Sequence, residues 1–152
     1  MPGYKAHVSF GSIIYFALIF TLVSFPGWIV GMRWFLLVVA GALFPDIDTH
    51  SKGRIIYTWF LLVVFVLLLL CAKVYVALFV GVLAFVPLLA KHRGLLHNFW
   101  FIAACVLLSV FFIGLISPVY KYAGLSDAGF FLLGVFSHLV LDRGFVRALH
   151  LR

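Results

Sequence analysis

The sequence predicts an all-α integral membrane protein: one compact single-domain bundle of about six transmembrane helices, with both termini on the cytoplasmic side. Three observations carry that expectation. Of 152 residues, 66% are hydrophobic and 10% charged, against roughly 25% charged in ordinary soluble domains. Apolar runs of roughly 17–20 residues recur along the chain, each enough to cross a hydrocarbon core of about 30 Å. A soluble chain this short has no interior large enough to bury so many helices that are apolar on every side. The formal charge of +7 does not read as a nucleic-acid footprint, because the basic residues stand singly or in pairs between apolar runs. That placement suits anionic headgroups and topology control. Membrane lipids are the expected partners, and nucleic acid is not.

Hydropathy places the spans at 8–25, 28–45, 55–72, 74–90, 98–117 and 124–142. Pro26-Gly27 is a strong helix stop and turn signal, and Arg33 close behind it supports a break there. Without that break, 8–32 would be one long tilted helix and the following apolar remnant would be too short to span. Lys73 separates the third and fourth spans by a tight turn, which antiparallel neighbours can use. The sixth span is the least apolar, because Asp127, His138 and Asp142 crowd its ends. Cys71 and Cys105 fall at different depths, so no disulfide is expected and both read as small buried apolar residues. Gly27 and Gly31 form a G-x-x-x-G at a turn rather than mid-span, which carries little weight as a dimer signal. The first apolar run lacks the short core and A-x-A-like site of a cleavable signal peptide.

Basic residues choose the orientation. Lys5, Lys52, Arg54, Lys91, Arg93, Arg143, Arg147 and Arg152 lie on the side of both termini, against Arg33, Lys73 and Lys121 on the other. The first side is therefore the cytoplasmic one. The same map then sorts residues it did not use. His7, Asp46, Asp48, His50, His92, His97, His138 and Asp142 all fall on the cytoplasmic side, and Asp127 on the opposite one. The chain has no Glu or Gln, and its four acidic side chains are all Asp.

Each Asp or His taken singly is explained by a wet helix end. Taken together they have chemistry in common. His138 and Asp142 are spaced i, i+4 and share one helix face. Gly94 allows a turn that brings His92 and His97 to one point. Asp46 and Asp48, on an irregular post-proline segment, face the same way if the backbone there is strand-like. Imidazoles and carboxylates without a thiolate suit zinc, manganese or iron rather than calcium. Such a set exceeds what one tetrahedral ion needs, which points to two divalent ions. Paired ions make hydroxide available near neutral pH and clamp phosphoester oxygens. Arg93 is placed for a phosphate oxygen, and Asp46 or Asp48 for bridging the ions or acting as general base. His50 is a bystander or a spare ligand, and His150 belongs to a basic tail.

Absences narrow the chemistry. Zinc proteases of the H-E-x-x-H type and glutamate-based prenyl-protein proteases need Glu. Ser137 and His138 are adjacent on one helix and face apart, so they make no nucleophile–base pair. The Pro-Ser-Gly-His block of membrane lipid phosphatases is missing. "DIDT" at 46–49 matches the start of an aspartyl-phosphatase motif, but position 50 is His and no parallel-sheet pattern surrounds it.

Four blocks, "HVSFG" at 7–11, "GALFPDIDTHSK" at 41–52, "HRGLLHN" at 92–98 and "SHLVLD" at 137–142, resemble the YdjM-like family of membrane-bound metal-dependent hydrolases. That family's pattern is an N-terminal His followed by Gly, an L-P-D-I-D block, H-R-G-x-T-H-S and a late H-x-x-x-D. No single block is specific, but their order and spacing agree over nearly the whole chain. The resemblance implies that His7, Asp46, Asp48, His92, His97, His138 and Asp142 are the metal-site residues. Leu96 and Asn98 depart from the family's Thr and Ser; if those hydroxyls orient ligands, their loss retunes the site. The expected function is a di-metal hydrolase, with zinc the first choice and manganese or iron next, acting on a lipid-linked phosphoester at the cytoplasmic face of a bacterial or archaeal inner membrane. A metal or proton transporter, or an inactive protein with a metal staple, is the alternative.

Overall fold

In the computed structural model the residues described are 3–21, 27–48, 52–70, 97–116 and 119–144. Every element among them is helical: α1 Tyr4–Thr21, α2 Trp28–Leu43, a short 3-10 helix Phe44–Asp48, α3 Lys52–Leu70, α4 Phe99–Ile116 and α5 Val119–Arg143. Five of the expected spans therefore have a helix. The fourth, 74–90, lies outside the described residues, as do Cys71, Lys73, Leu96, His50, His92, Arg93 and His150. The stretches Trp28–Asp46 and Tyr122–Arg143 are each long and apolar enough to cross a membrane, and Phe99–Phe112 is a shorter apolar helix.

Two boundary differences from the hydropathy reading move Asp or His residues, because backbone hydrogen bonding sets helix ends and polarity does not. α1 begins at Tyr4, so His7 sits inside its first turns. α5 begins at Val119, so Asp127 lies two turns within the helix instead of at its end. Cys105 also departs from expectation. It is exposed on α4, among outward-facing Trp100, Phe101, Leu107 and Leu108. Hydropathy ranks a residue's taste for apolar surroundings but does not tell the core from an apolar outer face. That outer face is extensive, with Phe20 82%, Ile29 88% and Leu70 78% exposed, far beyond the apolar patches soluble monomers tolerate.

Small residues set the packing. A Cβ on Gly41 would run into the Phe131 carbonyl, and one on Gly134 into the Val38 carbonyl and the Ala42 nitrogen. The backbones of α2 and α5 thus touch, and the pairs 33–127, 38–134 and 42–138 show that they run parallel. α1 packs antiparallel to both: His7 reaches Asp142, Gly11 lies against Ser137 and Val38, and the Tyr15 hydroxyl donates to the Gly31 carbonyl at 2.7 Å. α4 covers α5, with Ile102, Val135 and Leu139 forming a dry cluster. This arrangement carries His7, Asp46, His138 and Asp142 to one end of the bundle. At the other end, Asp127 Oδ1 takes the Arg33 Nε at 3.1 Å and the Trp34 Nε1–H at 3.2 Å.

Candidate metal centre

The carboxylate arm of the site is made by a proline. Pro45 is buried and has no N–H to continue the α-helical ladder. The Phe44 N–H closes onto the Gly41 carbonyl instead, and the chain winds through Phe44–Asp48 as a 3-10 helix. The strand-like backbone expected for "PDID" is absent. With about three residues per turn, positions two apart diverge by roughly a third of a turn. Asp46 and Asp48 therefore do not share a face by periodicity. Asp46 Oδ1 lies 3.6 Å from His138 Nε2; the Asp48 side chain lies outside the described set.

Around His138 the remaining residues converge. His7 and His138 stack, with ring centroids 3.9 Å apart and planes 16° from parallel. Asp142 reaches His7 Nε2 through Oδ1 and His138 Nε2 through Oδ2, each at 3.4 Å. The His97 ring stands edge-on to His138 at 6.0 Å between centroids. His7, His97 and His138 are buried to 1%, 8% and 0% exposure. Ligand atoms of His7, His138 and Asp142, and those of Asp46, His97 and His138, lie within 4.8 Å of one another.

One hydrogen bond fixes the roles of the His138 nitrogens. Nδ1 is 2.7 Å from the Ala42 carbonyl oxygen, which can only accept. Nδ1 must donate, so in the neutral ring Nε2 carries the lone pair. That lone pair faces Asp142 Oδ2 at 3.4 Å and Asp46 Oδ1 at 3.6 Å, acceptor against acceptor. Moreover, His7 Nδ1, His97 Nδ1, His138 Nε2 and Asp142 Oδ1 are buried without a hydrogen-bond partner. Each such orphan costs about 1–3 kcal/mol, and native interiors rarely accept one without a reason. A divalent cation held between them would supply one. Ligands at about 2.0–2.2 Å in tetrahedral array stand roughly 3.3–3.6 Å apart, matching the 3.4, 3.4 and 3.6 Å separations around His138 Nε2 and Asp142. The donor set fits zinc, manganese or iron.

Supporting residues explain parts of the motifs. His7 and Gly11 lie one turn apart, and a Cβ on Gly11 would come 3.2 Å from Ser137 Oγ, so Gly11 lets α1 bring His7 in. Ser137 is buried and donates to the Gly134 carbonyl at 2.7 Å, which confirms that it is no partner for His138. Asn98 is the N-cap of α4: its Oδ1 accepts the N–H of Trp100 at 3.0 Å and of Phe101 at 3.3 Å. Serine caps helices as well as asparagine does, so Asn98 keeps that function. Arg143 donates from Nη1 to the His97 carbonyl at 3.3 Å. Sequence reasoning missed the Ala42 carbonyl and the Gly41–Gly134 crossing that brings it to His138; glycines inside apolar spans, one of them a turn before His138, were the available signal.

Of the seven expected ligands, five converge: His7, Asp46, His97, His138 and Asp142. His92, like Arg93, falls outside the described residues. The family model for the YdjM inner membrane protein matches residues 1–146. The chain belongs to that family. The match runs from before His7 to beyond Asp142, so it takes in all four sequence blocks. No curated protein and no solved structure matches the chain significantly. As a YdjM family member it is an inner membrane protein, and the apolar outer faces of its helices are the surface that meets lipid.

Proposed function

We propose that this YdjM family member is a divalent-metal-dependent hydrolase, a single-domain six-helix bundle with cytoplasmic termini that cleaves a lipid-linked phosphoester at the cytoplasmic face. The observation that carries the proposal is the cluster itself: His7, His97, His138 and Asp142, each with an orphaned buried ligand atom, at ligand-to-ligand spacing with Asp46 beside them. Asp48 and His92 complete the ligand set on the strength of the family pattern. Bound there, a divalent ion supplies Lewis acidity, making hydroxide available near neutral pH and offsetting charge on phosphate oxygens. The chain's own groups do the rest. His138 holds its lone pair on Nε2 by donating from Nδ1 to Ala42. Asp46 is the more accessible carboxylate, with 19% side-chain exposure against 3% for Asp142, and it takes the proton of the attacking water. Arg93, with Arg143 held at the rim by the His97 carbonyl, meets the phosphate. The lipid-linked class follows from the site's location, at one end of a bundle whose sides are given over to lipid.

Hydrolysis is favoured over transport by α5. From Ala128 to Phe136 it carries no polar side chain, so on this helix nothing relays an ion between the cluster and Asp127. The test is elemental analysis of the purified protein for Zn, Mn and Fe, followed by hydrolysis assays on phospholipids and polyprenyl phosphates. Metal content and cleavage that both vanish in His138→Ala are expected. Metal-free wild-type protein, or cleavage unaffected by His138→Ala, overturns the proposal.

A further inference from the structure

The stacking of His7 on His138 decides how the ligands divide. An imidazole nitrogen donates its lone pair in the ring plane, so an ion it holds lies in or near that plane, at about 2.0–2.1 Å. Here the two planes are 16° from parallel and the centroids 3.9 Å apart. With planes stacked in this way, a point between the two Nε2 atoms lies well out of at least one ring plane. Although His7, His138 and Asp142 lie close enough to surround one ion, the rings as they stand cannot both aim an Nε2 lone pair at it. Asp142 lies across the gap. It presents Oδ1 to His7 Nε2 and Oδ2 to His138 Nε2, both at 3.4 Å. The ring spacing also falls in the roughly 3.5–4 Å range that separates paired ions in hydrolytic two-metal sites.

We infer that Asp142 is a bridging carboxylate that divides the cluster into two cation positions, one on His7 and Asp142 Oδ1, the other on His138, Asp46, His97 and Asp142 Oδ2. The inference rests on the metal-binding reading above and gives the bridge a different residue from the Asp46 or Asp48 expected from sequence. Asp46 belongs to the His138 position: its oxygen is 3.6 Å from His138 Nε2, and it groups with His97 and His138 rather than with His7. Asp142 offers one oxygen to each of the stacked imidazoles. Its 3% side-chain exposure keeps both oxygens from water, which is what a bridge requires and a general base does not.

The test uses the full chain in lipid nanodiscs, stripped of metal and titrated with Mn²⁺ alone, read by ion stoichiometry and by electron paramagnetic resonance. Two ions per wild-type chain with an exchange-coupled spectrum are expected. His7→Ala should hold one uncoupled ion, and Asp142→Asn should lose the coupling and weaken binding of the second ion by at least about tenfold. One ion per wild-type chain, two uncoupled ions, or coupling that survives in Asp142→Asn would each overturn the bridge. The wild-type measurement stands even if a variant does not fold. A wild-type chain with one ion that still cleaves phosphoesters removes the bridge and leaves the hydrolase; a chain that binds no ion removes both.

Discussion

The Nδ1 of His138 lies 2.7 Å from the carbonyl oxygen of Ala42, a residue 96 positions earlier in the chain. Ala42 belongs to the last turn of α2, where carbonyls are left without α-helical partners. Pro45 sharpens that ending, and His138 uses the freed oxygen. One bond therefore ties the end of α2 to the centre of the ligand cluster and sets which nitrogen is free. It forms because Gly41 and Gly134 let the two backbones touch.

Gly134→Ala should accordingly loosen the site from a distance. The added Cβ meets the Val38 carbonyl and the Ala42 nitrogen, rigid backbone that cannot rotate aside. A loss of roughly 1–3 kcal/mol in stability is expected from overpacking, together with weaker metal binding. Gly129, in the same helix, has open space where an alanine methyl would stand, with nothing within 4 Å. Gly129→Ala should raise helix stability by up to about 1 kcal/mol and leave metal binding unchanged. Thermal unfolding and Mn²⁺ titration of the two variants read both effects, and equal behaviour would refute the close-crossing account.

Asn98 gives a sharper test of how much a departure from the family pattern matters. As the cap of α4 it accepts two backbone N–H groups. Asn98→Ser should be close to neutral, whereas Asn98→Ala should cost about 0.5–2 kcal/mol. The loss should appear in the melting temperature of the metal-free protein, before any question of activity arises. If Asn98→Ser alone changed metal affinity strongly, the residue would be acting on the ligands and not on the helix.

Asp127 sits about 22 Å from Asp142 along α5, at 1.5 Å per residue. It pairs with Arg33 and Trp34, and the Arg33 side chain is 48% exposed. Asp127→Asn should lower stability by no more than about 1 kcal/mol, as polar interhelical contacts in membrane bundles generally do. Metal stoichiometry should not move. A change in bound metal would mean that the two ends of the bundle are coupled.

These residues also show what was legible in the sequence. Helix positions were readable because a span's apolar length is a property of composition, and the i, i+4 spacing of His138 and Asp142 is a property of any helix. Sidedness gathered His7, Asp46, Asp48, His50, His92, His97, His138 and Asp142 on one face, and five of these, His7, Asp46, His97, His138 and Asp142, converge among the described residues. The PDID conformation was not readable, because it depends on which carbonyl a proline leaves unpaired. Nor was the Gly41–Gly134 contact, since a glycine inside an apolar run looks alike whether it faces lipid or a second backbone. Cys105 failed for the same reason: hydropathy cannot distinguish the core from the outer face of a protein whose outer face is also apolar.

The last prediction concerns the cost of keeping the cluster ready. His7 is buried with Nδ1 unpartnered and its other nitrogen against a carboxylate oxygen. Without metal this is a liability, since an apolar side chain of similar size would leave no polar group stranded. His7→Leu should therefore stabilise the metal-free protein by roughly 1 kcal/mol, the lower end of an orphan's penalty. With metal the order should invert. An ion at 100 times its dissociation constant adds about 2.7 kcal/mol to a chain that binds it, and His7→Leu forfeits the share that comes through the His7 position. Melting curves of both proteins, with chelator and with Mn²⁺, should cross in rank. If His7→Leu were less stable under both conditions, His7 would be a packing residue, and the orphaned nitrogen would have lost its meaning as the mark of a metal site.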